Sequence, residues 1–148
     1  MTGKVRCTIT YDAHLFHMQY YAYETRKIES LTIVPADPQY DYGYEYADRQ
    51  EIVRLFEERG GADDILITQN GWIKDSSIAN IAFEKGGRWY TPAIPLLAGT
   101  TWKRLVASGI LIPTPVHQKE IRKFEAFKLF NALNAFEDAP SYPIRNIN

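Results

Sequence analysis

The sequence predicts an α+β fold, a mixed and largely antiparallel sheet with packed helices, on three observations. The chain opens with three β-rich segments in which apolar and polar residues alternate: VRCTITYD, LFHMQYYAYE and SLTIVPA. The period then changes to a helical one between Tyr46 and about Arg59. Strand-like runs return at DDILITQ, ANIAFEK and RWYT, separated by the turn pairs Asn70-Gly71 and Gly86-Gly87.

Taken in order, the three opening segments are expected to pair as an antiparallel sheet. In the helix, Ile52, Val53, Leu55 and Phe56 are expected to form one apolar face, with Gly60-Gly61 as the stop. The tyrosines of YDYGYEY fall at even positions, as a strand with one aromatic face requires. After the two hairpin turns, Gly99 to Ser108 reads as a short helix ended by Gly109, and ILIPTPV as a strand interrupted by prolines. KEIRKFEAFKLFNALNAF reads as one or two helical segments. Trp72, Phe83, Trp89 and Phe127 are expected in the core or an interface. No linker, repeat or low-complexity stretch divides residues 1–148, so the sequence predicts one domain.

Composition narrows the function classes. A formal charge of −1 over 148 residues, with acids and bases interspersed, gives no electrostatic footprint for nucleic acid or an anionic membrane. No window approaches the roughly 20 apolar residues that span a bilayer, and the start MTGKVRCTIT carries no run of signal-peptide length. The single cysteine, Cys7, has no internal partner, which fits a reducing compartment, and the cytoplasm is the expected location. His14 and His17 are expected on opposite faces of a strand and His117 is remote in sequence, so no metal site is predicted.

The stretch DILITQNGWIKDSSIANIAFEKGGRWYTPAIPLLAGTT carries a multi-part motif. Its parts are ILIT, Asn70-Gly71, Asp75, Ser76-Ser77, Asn80-Ile81, Thr91-Pro92 and the loop Leu97-Ala98-Gly99-Thr100-Thr101. In that order they resemble the central signature of the class IV aminotransferases, the fold-type IV pyridoxal-phosphate enzymes. That family includes branched-chain and D-amino-acid aminotransferases and aminodeoxychorismate lyase. A short branch of it, with YKYxDR, DDIL, NGxIxDxSxANIAF, WYTPxxPLLxGT and a late FNA, is the nearest likeness, and this chain meets all of these except the first lysine. The resemblance runs clearly from about Tyr40 to Asn134 and implies the pseudo-barrel of the family's larger domain. It also implies that the family's smaller N-terminal domain is absent from residues 1–148.

The resemblance implies a site as well. Asp75 stands where the family's acid faces the pyridine nitrogen of the cofactor, keeping the ring protonated as an electron sink. Most members have Glu there. Ser77, Ile78, Ala79 and Asn80 match the loop against the cofactor ring. Gly99, Thr100 and Thr101 match the loop that binds phosphate at a helix N-terminus, where unpaired N–H donors and the dipole favour an anion. Read without the family, Asp75-Ser76-Ser77 is a polar turn and Thr100 or Thr101 an N-cap. Arg49 matches an arginine four residues after the family's imine-forming lysine, and Glu45 stands at that lysine's place, thirty residues ahead of Asp75.

A carboxylate cannot form an imine, and near a dianionic phosphate its charge weakens binding. Glu45 is also what a solvated helix start favours. Lys27 and Lys74 are poor substitutes, Lys74 because its neighbour Asp75 should project from the opposite strand face. Where the short branch usually carries Arg after the Gly-Thr-x loop, this chain has Trp102. Three expectations follow. The chain is a class IV aminotransferase-like protein, inactive alone, that binds pyridoxal phosphate or another small anion noncovalently; or it is a working aminotransferase or lyase whose full form is longer; or it is a non-catalytic dimerising scaffold. The resemblance further implies a homodimer and an amino-acid or small anionic ligand.

Overall fold

A computed structural model describes residues 3–44 and 48–148. Among these residues ten strands form three sheets, accompanied by two α-helices. The first two strands, β1 (Val5–Tyr11) and β2 (Phe16–Ala22), make an antiparallel hairpin of their own. The next sheet orders β3 (Leu31–Pro35), β4 (Asp64–Gln69) and β5 (Trp72–Ser76). The largest has the order β10 (Tyr142–Pro143), β9 (Ala126–Phe130), β6 (Asn80–Lys85), β7 (Arg88–Pro92) and β8 (Leu111–Thr114). Pairing is antiparallel except for β3 with β4 and β7 with β8. This is the mixed, largely antiparallel α+β architecture that the sequence predicts.

Each parallel pair needs a crossover, and a helix supplies it. Helix α1 (Gln50–Glu57) joins β3 to β4, and α2 (Thr100–Ala107) joins β7 to β8. The N-termini of both helices therefore follow the carboxyl ends of strands, the position at which α/β units bind ligands.

The core divides between the layers. Leu66 and Ile73 meet Ile81, Phe83 and Phe127 between the two larger sheets. Ile52 and Leu55 of α1 cover Ile65 and Ile67 on the other side of β4. Because β4 is covered on both faces, its first five residues are all buried. The Asn70-Gly71 turn between β4 and β5 has φ of 51° and 80°, the left-handed pair that a two-residue hairpin needs. A Cβ on Gly71 would collide with the His117 ring.

Several expectations are corrected. The third opening segment does not pair with the first two, because β3 takes a parallel partner after α1. Val53 is exposed, since Ile52 and Leu55 set the buried face and Val53 lies off it. The described residues of YDYGYEY are not a strand: Tyr42 is buried and stacks on Tyr40, whereas Tyr44 is exposed. The expected helix start at Tyr46 lies outside the described residues. KEIRKFEAFKLFNALNAF is a short 3-10 helix (Gln118–Lys123) followed by strand β9, not an α-helix. Phe127 and Phe130, three apart, mimic helical spacing, but five residues of β9 pair with β6 and that pairing wins. Phe83 and Phe127 lie in the core, whereas Trp72 is exposed with its ring edge-on to His117.

The packing predicts where substitution hurts. Phe83→Ala or Phe127→Ala should cost about 3–5 kcal/mol in urea unfolding, while Val53→Ala should stay within about 0.5 kcal/mol.

Candidate active site

The turn between β5 and β6, taken with its flanking strand ends as residues 76–80 and called loop 76–80, is the centre of the site. Asp75, next to last in β5, is buried, and both carboxylate oxygens accept hydrogen bonds: Oδ1 from Asn80 Nδ2 at 2.9 Å and Oδ2 from the Leu97 N–H at 2.9 Å. Asn80 Nδ2 also donates to the Leu97 carbonyl at 2.8 Å. Residues 75, 80 and 97 thus form one closed knot that fixes both the loop and the approach to α2. Within the loop, the Ser76 hydroxyl accepts from the Ala79 N–H at 3.0 Å, as a polar turn does.

Burial pushes the Asp75 carboxyl up to about 7, against the pull of the Leu97 N–H, the Asn80 amide and the Leu96 N–H. Buried Asp64, at the start of β4, is also raised by desolvation, opposed by Ser77, the Ile65 N–H and Arg26. Its Oδ1 accepts from Ile65 at 2.7 Å, while Oδ2 has no hydrogen bond of good geometry.

Arg49 is the N-cap residue of α1, and its Nη2 donates to the Ser77 carbonyl at 2.6 Å. Its Nε is buried with no hydrogen-bond partner among the described residues. Gly99 is the N-cap residue of α2 and provides no side chain for the first turn. A Cβ there would meet Asn80 Oδ1 at 3.0 Å, so the backbone lies directly against the loop. Thr100 is exposed and Thr101 half-buried in that first turn. Two helix starts therefore meet one five-residue loop, one bringing a guanidinium and the other unpaired N–H groups.

Ile78 and Ala79 line a cavity of about 420 Å³ with Arg26, Leu129, Asn131 and Asn134. Arg49, Asp75, Ser77, Asn80 and Gly99–Thr101 do not line it, so the loop separates the two groups of predicted residues. Glu45 lies outside the described residues.

Asn131 was not singled out as a site residue, although it belongs to the FNA run. Its Nδ2 donates to the Ile78 carbonyl at 3.0 Å, and its Oδ1 accepts from the Leu133 and Asn134 N–H groups. Trp102 is part of the scaffold: its indole N–H donates to the Thr91 hydroxyl at 3.1 Å, and its ring packs on the cluster around Leu105 and Phe130. Lys74 turns to the Ile94 carbonyl, 3.0 Å from Nζ. Among the described residues, no group of His, Cys, Asp or Glu gathers to hold a metal ion, and no helix is long and apolar enough to cross a membrane.

A fold whose two crossover helices converge on a strand–loop–strand acid defines a class, and comparison with known proteins supplies its family. The model for amino-transferase class IV matches residues 43–141. An uncharacterised protein of Haemophilus influenzae is 37% identical over 130 residues, which is 88% of this chain and 69% of that protein. A Haemophilus somnus crystal structure, provisionally described as a 4-amino-4-deoxychorismate lyase, superposes with a TM-score of 0.86 at 29% identity. That match covers 91% of this chain and 69% of the other. A hypothetical aminotransferase of Mycobacterium tuberculosis, in its PLP-bound form, shares the fold with a TM-score of 0.69 at 12% identity, over 93% of this chain and 58% of that one. The chain belongs to the class IV aminotransferase family.

The knot predicts a pH dependence with a definite sign. The native state holds the Asp75 proton up to about pH 7, whereas the unfolded chain releases it near the ordinary 3.8. This contribution to stability is therefore complete below pH 3.8 and is lost as pH rises through about 7. Urea unfolding should show a loss of up to about 4 kcal/mol over that range, and Asp75→Asn should make the slope shallower, leaving the smaller share of Asp64. Equal slopes in the two proteins would contradict the assignment.

Proposed function

We propose that this chain is a class IV aminotransferase-like domain that holds pyridoxal phosphate, or a similar phosphorylated small anion, without a covalent bond and does not transaminate by itself. The convergence of Arg49 and the α2 N-terminus on loop 76–80 carries the reading.

The residues fit the group at its phosphate end. Arg49 offers a buried guanidinium N–H with no partner among the described residues, and the first turn of α2 offers uncapped backbone donors at Thr100 and Thr101, while the Gly99 N–H donates to the Leu97 carbonyl at 2.9 Å. Asp75 fits the pyridine end as a buried acid whose proton is weakly held near neutral pH, so a cationic ring N–H beside it would keep it ionised. Because both its oxygens already accept protein hydrogen bonds, a ring would add to the knot rather than create it. When bound, pyridoxal phosphate supplies an electron-withdrawing ring that takes up charge from the α-carbon of an amino acid. The chain's own part is to orient the ring between Asp75 and the loop and to hold the phosphate.

Glu45 sets the limit on activity. Its carboxylate has no amine to bond the cofactor's aldehyde or to carry a proton from the substrate. Its charge also opposes the phosphate, so affinity is expected to be modest. The cavity behind Ile78 and Ala79 has the size of a small-ligand site and is the expected position for an amino-acid or small anionic ligand.

Visible absorbance with added pyridoxal phosphate, before and after borohydride, tests this reading. The wild type should give no borohydride-stable adduct on protein. Glu45→Lys should give one, located at position 45 by peptide mapping. An adduct on a native lysine of the wild type would overturn the reading.

A further inference from the structure

Two buried side-chain atoms among the described residues have no hydrogen-bond partner, Arg49 Nε and Asp64 Oδ2. Buried polar groups are satisfied as a rule, so two exceptions in one place ask for a cause. Both belong to residues that stand against Ser77. Arg49 reaches it from the start of α1, where Nη2 donates to the Ser77 carbonyl at 2.6 Å. Asp64 reaches it from the start of β4: Leu66 pairs with Ser76, so the antiparallel ladder sets Asp64 level with the residues that follow, and the Ser77 hydroxyl and N–H face its carboxyl.

Asp64 is fully buried and Ser77 is 6% exposed. An acid so deep is a costly way to begin a strand whose next three residues, Ile65, Leu66 and Ile67, are wholly apolar and fully buried. Its Oδ1 already accepts from the Ile65 N–H at 2.7 Å, so Oδ2 is the atom left to engage Ser77. Burial raises this carboxyl above its ordinary range, opposed first by the Ser77 hydroxyl, then by the Ile65 N–H and the Arg26 guanidinium. A carboxyl that keeps its proton offers a donor as well as an acceptor to a serine, and it adds no negative charge behind an anion site. The bonds of Asp75, Asn80 and Leu97 set the two ends of the loop, and the Ser76 hydroxyl closes its inner turn. None of these bonds involves Ser77.

We propose that Asp64 is a positioning residue for the anion site: its side chain holds Ser77 from behind and so fixes the carbonyl on which the Arg49 guanidinium rests. Ser77 is then the link between an acid on β4 and a cation on α1. Arg49 spends one N–H on that carbonyl and keeps Nε for a ligand. The effect of Asp64 on affinity rests on the anion-binding reading of Arg49; its effect on the Arg49 side chain does not.

Two measurements on the full chain test this. The first needs no ligand: hydrogen exchange of the Arg49 Nε–H, followed by NMR, should quicken at least about tenfold in Asp64→Ala and in Ser77→Ala. Asp64→Asn, which keeps an acceptor and a donor, should stay within about twofold of the wild type. The control is Asp63→Ala, which removes a neighbouring carboxylate bonded instead to the Glu29 and Ser30 N–H groups, and it should leave the Arg49 signal unchanged. The second is titration with pyridoxamine 5′-phosphate, in which Asp64→Ala should weaken binding about tenfold and Asp64→Asn should restore it. In an Arg49→Ala background, Asp64→Ala should cost nothing further, because the two act through one contact. A quickened Arg49 signal in a protein that binds no phosphate supports the positioning role while the anion reading fails. An Arg49 signal indifferent to Asp64→Ala overturns the role, as do additive losses in the double variant or an Asp64→Asn protein that behaves like Asp64→Ala. If Asp64→Ala does not fold, Ser77→Ala decides by the same readouts.

Discussion

The hydrogen bonds among Asp75, Asn80 and Leu97 organise the part of this molecule proposed to face a ligand. Asp75 is next to last in β5, Asn80 begins β6, and Leu97 lies two residues before the N-cap of α2. One buried carboxylate and one buried amide join all three. In a low-dielectric setting such a closed network is rigid when satisfied and costly when broken, which is why its effects extend beyond three residues. It fixes where the Ser77 carbonyl points, and hence where Arg49 is held. It also brings Gly99 so close to Asn80 that a Cβ there would crowd Asn80 Oδ1 at 3.0 Å.

The topology explains why a loop in that place has helix starts around it. Two parallel pairs in an otherwise antiparallel fold require two crossovers, and each crossover helix begins beyond the carboxyl end of a strand. With α1 and α2 converging on residues 76–80, an electropositive setting arises from backbone and a single arginine, without a basic surface and at a net charge of −1. The same loop also forms a wall of the cavity, through Ile78 and Ala79. Asn131 braces it from that side by holding the Ile78 carbonyl.

Much of this was legible where the information is local. Asn70-Gly71 and Gly86-Gly87 announced tight turns because few other residues tolerate the positive φ found there. The apolar–polar alternation of β1 and β2 and the amphipathic helix α1 followed from period alone. Loop 76–80 and the α2 start were legible as an ordered motif, though each part alone read as an ordinary turn or cap. Partner choice was not legible. Nothing in LTIVP says that β3 will skip its predecessors for a parallel partner some thirty residues on, beyond α1. Nor did FEAFKLF reveal a strand, since Phe127 and Phe130 have helical spacing and only the pairing with β6 decides the matter. Asn131 escaped notice because its role lies in a contact with Ile78, 53 residues away in sequence.

The central claim is that the two helix starts around loop 76–80 hold a phosphorylated cofactor without covalent attachment. Calorimetric titration with pyridoxamine 5′-phosphate tests it most directly, because that probe has no aldehyde and cannot bond any lysine. The account predicts measurable binding to the wild type, weakened at least about tenfold in Arg49→Ala, where a charge-assisted contact to phosphate is lost. Absence of binding to a folded wild type, or equal affinity in the variant, would contradict it.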